Sequence, residues 1–367
     1  MKIVQMGPTR WQGGVAVAIQ QTCIDLAKLG HQVLLIGNGG PVTDSITKQG
    51  IRCQEVNWSV HPGVLPRTVW QVHRQIRAFH PDVIHVHGRA PSLVCHLSGY
   101  RPDWFTLHNV HLTEKAGPLD LGPIRKYLSP LAKNLFVLNE EAADYATRHL
   151  DVKPQRMVIL PNGVDCSYFR PPTPDERNDA RRLFQVEPHE LLTLFVGRFH
   201  EQKNPLALLD LAEALLKRFG LSIKMAIVGT GPMENEIRNR IQMAGLSESC
   251  RMYGWMDPRT AYFAADLLLM PSQYEGFGLV AAEAQACGCP VLRTRTGGWD
   301  VTLQNGISGM VCQNTSIDFV HRGLELLADC SRLHAMRPAA REWAMNTLSI
   351  RNQTLRMVLA YRHERQE

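Results

Sequence analysis

The sequence predicts an α/β protein built from two doubly wound domains, each a parallel sheet with helices on both faces. Apolar runs alternate with amphipathic stretches from the first residues onward. The alternation begins again after a polar, proline-rich passage at residues 169–175. The length of 367 residues also fits two domains of average size, each able to bury its own core.

The apolar runs mark the strands of both domains. In the first domain, residues 1–163, we predict strands at 3–6, 32–36, 83–86, 104–107, 135–138 and 157–160. In the second domain, residues 164–345, we predict strands at 192–196, 223–228, 267–270 and 290–292. The polar, Arg-rich residues 346–367 form a final helix, whose predicted contacts are Leu348, Leu355, Val358, Leu359 and Tyr361.

Composition narrows the class of protein. No run of about eighteen apolar residues occurs, and the start is a short strand rather than a signal peptide, so we expect a cytoplasmic protein. The nine cysteines lack the paired spacing of a zinc site, and we expect reduced, mostly buried thiols. No nucleic-acid partner is predicted.

The excess of positive charge lies in the first domain. Residues 1–163 contain 17 Lys and Arg against 11 Asp and Glu, which leaves 23 against 23 of the totals 40 and 34 for the rest. This asymmetry favours an anionic partner for the first domain, such as a phospholipid surface or a phosphorylated acceptor, although six charges could also be incidental.

One segment combines two carboxylates with a glycine-flanked turn. Residues 271–284 place Glu275 before Gly276, Phe277, Gly278 and Leu279, and set Glu283 inside a helix that starts there. Glycines let the backbone approach a ligand, and a helix N-terminus offers unpaired N–H groups to an anion. Strands on both sides favour a ligand site over two solvated surface carboxylates.

Two cations follow the strand at 192–196. Arg198 stands at the strand end, and Lys203 comes just before a helix that starts near Pro205. Two fixed cations at this place could neutralise a diphosphate and act on the charge of a departing nucleotide.

These segments closely resemble family-4 retaining glycosyltransferases, through their Glu-x7-Glu signature and their Gly-Arg…Lys motif. The resemblance implies the GT-B fold, with two Rossmann-like domains facing each other across a cleft that holds the active site. It also implies that Glu275 contacts the donor sugar and stabilises the transition state, that Glu283 binds the ribose hydroxyls, and that Arg198 and Lys203 bind the diphosphate. The final helix is expected to cross back onto the first domain.

The resemblance extends to four other places. Gly13 and Gly14 follow the first strand and resemble the glycine loop that faces acceptor and phosphate. His108, just past a strand, corresponds to a histidine that contacts the donor sugar or the reacting centre. Gly229 belongs to a loop that faces the nucleotide, and Met252 with Tyr253 should shape the base pocket through backbone contacts.

No metal or cofactor is predicted, because the sequence has no Asp-x-Asp triplet, no His-Glu-x-x-His and no Walker loop. His85 and His87 share one strand face and are interpreted as packing or capping residues rather than a metal site.

A basic stripe is predicted on the helix at residues 66–79. Helical spacing places Val69, Val72, Ile76 and Phe79 on the arc that packs on the sheet. The opposite arc could lie on an anionic inner-membrane surface or be merely solvated, and consists of Arg67, Trp70, Arg74 and Arg77.

The sequence therefore predicts a retaining, metal-independent glycosyltransferase. It would move a sugar from a nucleoside-diphosphate donor, such as a UDP-sugar, to a glycan or lipid-linked saccharide in lipopolysaccharide, O-antigen or capsule synthesis. Alternatives are a nucleotide-sugar epimerase of the same shape and a non-catalytic sugar-nucleotide-binding partner. Trp299 and Asp300 follow a Gly-Gly pair where the family carries its acid one position later, which leaves the donor sugar open.

Overall fold

The computed structural model describes residues 1–10, 13–108 and 131–364. They form two compact units, Met1–Gly163 with Ile350–Glu367, and Val164–Ser349. The return to the first unit begins at Ile350 rather than at the predicted residue 346, because Ala344–Leu348 continues the preceding helix.

The first unit is built on a seven-stranded parallel sheet. Its strands are β1 Lys2–Met6, β2 Gln32–Gly37, β3 Arg52–Glu55, β4 Val83–His87, β5 Trp104–Leu107, β6 Asn134–Val137 and β7 Met157–Ile159. Its helices as far as Gly163 include α1 Gly14–Lys28, α2 Pro41–Lys48, α3 Leu65–Phe79, α4 Arg89–Leu97 and α5 Glu140–Leu150.

The strand order of this sheet is β3-β2-β1-β4-β5-β6-β7. Neighbouring residues of β1 face opposite cores, since Ile3 packs with α1 and α2 while Val4 packs with α3 and α5. Both faces are covered, which explains why the central strands are rich in apolar residues.

The second unit repeats this plan with a six-stranded parallel sheet. Its strands are β8 Leu191–Val196, β9 Ile223–Val228, β10 Cys250–Tyr253, β11 Leu267–Met270, β12 Val291–Thr294 and β13 Gly309–Cys312. Its helices are α6 Pro174–Leu183, α7 Leu206–Phe219, α8 Glu234–Met243, α9 Pro258–Ala264, α10 Leu279–Ala286, α11 Trp299–Thr302, α12 Ser316–Ala328 and α13 Cys330–Trp343.

The order β10-β9-β8-β11-β12-β13 is that of a doubly wound sheet, so its switch point lies between β8 and β11. The first helix of this unit is fixed by local chemistry. Thr173 and Glu176 form a reciprocal capping box, and Pro174 occupies the first turn of α6.

The last helix, α14 Ile350–Glu364, packs on the first unit against α1. Met357, Val358 and Tyr361 enter the same core as Ile3. Two predicted contacts were wrong, because Leu355 and Leu359 are 42% and 64% exposed.

The predicted α/β class with two doubly wound domains is confirmed. Three strands were not predicted from the sequence, β3, β10 and β13. All three lie at sheet edges. The residues of β3, Arg-Cys-Gln-Glu, carry no apolar run because an edge strand is only partly covered.

The cysteines are free thiols, and most of them are buried. Among the residues that the structure describes, no helix has the length and apolar character needed to cross a bilayer.

Candidate functional site

Two connections leave neighbouring strands at the switch point of the second sheet. After β8 come Gly197 and Arg198, and after β11 comes the loop that contains Glu275. Doubly wound sheets bind ligands at the carboxyl ends of strands where the order reverses. The sheet topology therefore brings these two predicted segments to one edge.

Lys203 and Glu275 form an ion pair between these connections. The hydroxyl of Ser272 donates to the same carboxylate oxygen at 2.7 Å. The side-chain amide of Gln202 donates to the carbonyl of Tyr274 at 3.2 Å. The turn that carries Lys203 and the loop that carries Glu275 therefore hold each other in place.

The ion pair keeps Glu275 ionised although its side chain is only 7% exposed. Burial alone raises the pKa of Glu275, but the charge of Lys203 and the hydrogen bonds from Lys203 and Ser272 outweigh it and hold the pKa below its ordinary value. Arg198, in contrast, is exposed. Within the described ranges, its guanidinium makes no hydrogen bond or ion pair, so it can meet an anion without breaking one.

Gly278 sits at the start of α10 with a left-handed φ of 92°. A Cβ there would lie 2.8 Å from Cε of Met270 and 3.2 Å from Nη1 of Arg293. Gly278 is thus required by packing as well as by backbone conformation. Its neighbours Phe277 and Leu279 are buried and half-buried, and Gly276 is half-buried.

Arg293, on β12, is a buried cation that the sequence reading missed. Its two Nη atoms donate to the carbonyl oxygens of Phe277, Gly297 and Gly298 at 3.2, 2.9 and 3.3 Å, and to the hydroxyl of Thr302 at 2.5 Å. The guanidinium thus joins the Glu275 loop to the Gly-Gly turn from behind. A charged residue inside an apolar strand was the available signal.

Glu283 is buried inside α10 and accepts a hydrogen bond of 2.9 Å from the hydroxyl of Tyr262. Burial raises its pKa to about 7, and the bond from Tyr262 only partly offsets this effect. The pKa of Glu275 is therefore lowered, whereas the pKa of Glu283 is raised.

The predicted nucleotide-facing loops lie at the ends of β9 and β10. Gly229 has a φ of 143°, and a Cβ there would lie 2.0 Å from the carbonyl oxygen of Gly197, so this glycine lets two loops approach. Met252 is half-buried against the core. The half-buried Tyr253 donates from its hydroxyl to the carbonyl of Phe184 at 3.3 Å, so its side chain points toward the end of α6.

Three predicted site residues belong to the first unit. Gly13 caps α1 and Gly14 opens it, and a Cβ on Gly13 would meet nothing within 4 Å. His108 directly follows β5 and is half-buried. Its Nε2 lies 2.8 Å from Nδ1 of His87.

Trp299, at the start of α11, lies beneath the guanidinium of Arg295, with 4.7 Å from Cζ to the ring centroid. Trp299, which stands where this chain departs from the family pattern, therefore makes a cation–π contact next to the turn at Gly297 and Gly298.

In the described part of the chain, no group of three or more His, Cys, Asp or Glu residues could hold a metal ion. His85 and His87 are packed side by side, with ring centroids 4.3 Å apart. Metal independence stays a prediction.

Comparisons with known proteins agree with this architecture. A family model described as glycosyl transferases group 1 matches residues 176–343, and one described as glycosyltransferase family 4 matches residues 12–168. The D-inositol 3-phosphate glycosyltransferase of Actinosynnema mirum is 30% identical over 72% of this chain and 66% of that protein. The protein of the same name from Rhodococcus opacus is 31% identical over 56% of this chain. The chain spans 48% of the Rhodococcus protein and just under two thirds of the Actinosynnema protein.

Solved structures share the fold over nearly the whole chain. A glycosyltransferase from Rickettsia africae superposes with a TM-score of 0.85 at 21% identity, covering 99% of this chain and 98% of that one. Anabaena HepE in complex with UDP and glucose gives a TM-score of 0.83 at 15% identity, with 98% and 99% covered.

Fold and comparisons together define a glycosyltransferase of the GT-B type. The chain belongs to glycosyltransferase family 4, with the group 1 domain as its second half.

Proposed function

We propose that this protein is a retaining glycosyltransferase that transfers a sugar from a UDP-sugar to a hydroxyl of a glycan or lipid-linked saccharide. The observation that carries the proposal is the Lys203–Glu275 ion pair at the switch point of the second sheet. It sets a fixed cation and an ionised carboxylate side by side, where the first can bind a phosphate and the second a sugar.

Each charged group has a distinct role in this proposal. Arg198 and Lys203 bind the diphosphate and stabilise the charge that develops on the departing UDP. Glu275 contacts the donor sugar and stabilises its positive transition state. Glu283 binds the ribose hydroxyls. Retention then follows from attack on the same face that the leaving phosphate vacates, with no metal required.

The acceptor is proposed to be anionic or carried on an anionic surface. The first domain holds the excess of Lys and Arg, and α3 exposes Arg67, Trp70, Arg74 and Arg77 along one side. The name of the Actinosynnema relative includes a phosphorylated polyol, which fits the same charge. An intermediate of lipopolysaccharide, O-antigen or capsule synthesis, used at the cytoplasmic face of the membrane, meets these requirements.

Thermal unfolding with and without UDP tests the donor site. We expect UDP, at about a hundredfold above its dissociation constant, to stabilise the wild type by ~2.7 kcal/mol and raise its melting temperature. Lys203→Ala should lose this shift, because the diphosphate loses a cation. Lys224→Ala is the matched control, since Lys224 is paired with Glu190 and is similarly exposed, but lies at the opposite end of the sheet.

A shift that both variants keep would refute the role of Lys203, and no shift with any nucleoside diphosphate would refute the donor site. Product analysis with UDP-glucose alone tests the epimerase, which would convert the sugar without an acceptor. A non-catalytic partner would bind UDP but never transfer the sugar, with or without an acceptor.

A further inference from the structure

Six polar side chains form one continuous chain of hydrogen bonds under the carboxyl edge of the first sheet. All of them are buried except the half-buried His108. Each residue in the following order is hydrogen-bonded to the next: His108, His87, Gln5, Tyr361, His85 and Thr106.

The contacts are short and come from separate elements. His108 Nε2 lies 2.8 Å from His87 Nδ1, and His87 Nε2 lies 2.7 Å from Gln5 Oε1. Gln5 Nε2 donates to the Tyr361 hydroxyl at 3.2 Å. This hydroxyl lies 2.7 Å from His85 Nδ1, and His85 Nε2 lies 2.7 Å from Thr106 Oγ1. This hydrogen-bond network thereby connects β1, β4, β5 and the last helix.

No member of this network carries a charge at neutral pH. Burial lowers the pKa of His85 to about 3 and that of His108 to about 4, and it lowers the pKa of His87 well below its ordinary value. A neutral imidazole has one N–H and one bare nitrogen, so each ring donates at one end and accepts at the other.

The orientation of the Gln5 amide then sets the direction of the bonds that His87 and His108 make. Its oxygen faces His87 Nε2, so that nitrogen must carry the proton and His87 Nδ1 must be bare. A bare Nδ1 on His87 can only accept, so His108 donates from Nε2. The Nδ1 of His108 is therefore left as an acceptor.

Tyr361 holds the amide in this orientation. Its oxygen accepts from the amide nitrogen of Gln5, and its single proton goes to Nδ1 of His85. His85 then donates from Nε2 to Thr106. If the Gln5 amide were turned over, its oxygen would accept the Tyr361 proton, the bonds of His87 and His108 would reverse, and His108 would present an N–H at Nδ1.

We infer that Tyr361, on the last helix, is a positioning residue that fixes His108 as the Nε2–H tautomer with an accepting Nδ1. A neutral acceptor can take a hydrogen bond from a sugar hydroxyl but offers nothing to a phosphate oxygen. Where this bears on catalysis, the inference rests on the proposed function. It assigns His108 to a hydroxyl of the substrate rather than to the diphosphate.

Tyr361→Phe removes only the hydroxyl. The ring stays packed near Trp104 and Phe136, with centroids 6.1 Å from each, so the variant should fold. The Gln5 amide loses its acceptor and becomes free to turn over. His87 and His108 should then populate both tautomers.

The direct test is nitrogen NMR of full-length protein labelled with ¹⁵N-histidine, since the two tautomers give different couplings to the ring protons. The His108 signal is assigned by its loss in His108→Gln. We expect the Nε2–H form in the wild type and a mixture in Tyr361→Phe. The control is Tyr100→Phe in the same unit, which should leave the signal unchanged. An Nδ1–H form in the wild type, or an unchanged tautomer in Tyr361→Phe, would overturn the inference.

Turnover of UDP-glucose gives an independent readout. Tyr361→Phe should lower kcat roughly tenfold, the worth of about one hydrogen bond, while the UDP-induced thermal shift stays at its wild-type value. If UDP did not raise the melting temperature of the wild type, the proposed donor site would be contradicted, but the tautomer result would not be affected. A changed tautomer with unchanged kcat would overturn the catalytic part of the inference.

Discussion

At the scale of single residues, two similarly buried glutamates of one segment have opposite pKa shifts because their partners differ. Lys203 lowers the pKa of Glu275, whereas burial raises the pKa of Glu283 to about 7 and the Tyr262 hydroxyl only partly offsets this effect. The sequence placed one carboxylate in a turn and the other inside a helix, but it did not predict their pKa shifts. Their partners, Lys203 and Tyr262, come from other elements, and only the fold brings them within reach.

The raised pKa of Glu283 predicts a pH-dependent stability. The folded protein binds this proton more tightly than the unfolded chain, so stability is fully present below the ordinary pKa of 4.5 and is lost as pH rises through about 7. Relative to Glu283→Gln, the wild type should lose about 3 kcal/mol of unfolding free energy between pH 4.5 and pH 8. Urea unfolding at several pH values measures this difference.

Glu236→Gln, at an exposed position of α8, is the control and should follow the wild type at every pH. A Glu283→Gln protein whose stability runs parallel to that of the wild type would contradict the shifted pKa.

At the scale of elements, amphipathic spacing correctly predicted which side of α3 packs on the sheet. Val72, Ile76 and Phe79 are buried as predicted, and Val69 packs against the same core. Trp70 is 58% exposed, with the guanidinium of Arg74 5.0 Å from its ring centroid. The exposed side therefore has the composition of a membrane-surface helix, while its binding to lipid stays a prediction.

We predict that Arg74→Glu with Arg77→Glu weakens binding to phosphatidylglycerol vesicles by about tenfold or more, since each basic residue near an anionic surface contributes about 1 kcal/mol. Co-sedimentation measures the bound fraction. Lys28→Glu with Lys48→Glu changes net charge equally on α1 and α2 and should have a smaller effect. Equal losses in both double variants would point to net charge rather than to α3.

At the scale of the whole molecule, the last helix completes a unit that the chain began much earlier. Met357, Val358 and Tyr361 are buried with residues of β1 and α1. The first unit therefore cannot close its core until the end of the chain has been made. The second unit, Val164–Ser349, is continuous in sequence.

A chain ending at Ser349 should consequently lose the first unit and keep the second. Burial of three large side chains is worth roughly 5–9 kcal/mol, comparable to the entire stability of an ordinary domain. Limited proteolysis should degrade residues 1–163 and leave a fragment that starts near Val164. A chain ending at His363 should resist like the wild type. Protection of residues 1–163 in the shorter chain would show that α14 is dispensable.

The sequence could predict the fold class, most strands and the charged residues near the switch point of the second sheet. Hydrophobic periodicity and glycine-rich turns are local features of a sequence, which is why these predictions were possible. Edge strands such as β3 were missed, since they lack the apolar runs that mark buried strands. In the last helix, apolar spacing predicted Val358 and Tyr361 correctly but not Leu355 and Leu359, because a helix with apolar residues on several sides does not reveal which side is covered.

The sequence by itself determined that this is a two-domain α/β glycosyltransferase with Arg198, Lys203 and Glu275 on connections that follow strands. Only the tertiary structure decided which charges are paired and which are buried. Arg293 behind the Glu275 loop and Tyr262 on Glu283 come from other elements, and Tyr361, in the middle of the hydrogen-bond network, lies 276 residues from its partner His85. The reason is physical: pKa values, tautomers and hydrogen-bond directions depend on groups within a few ångströms, and the fold alone decides which groups those are.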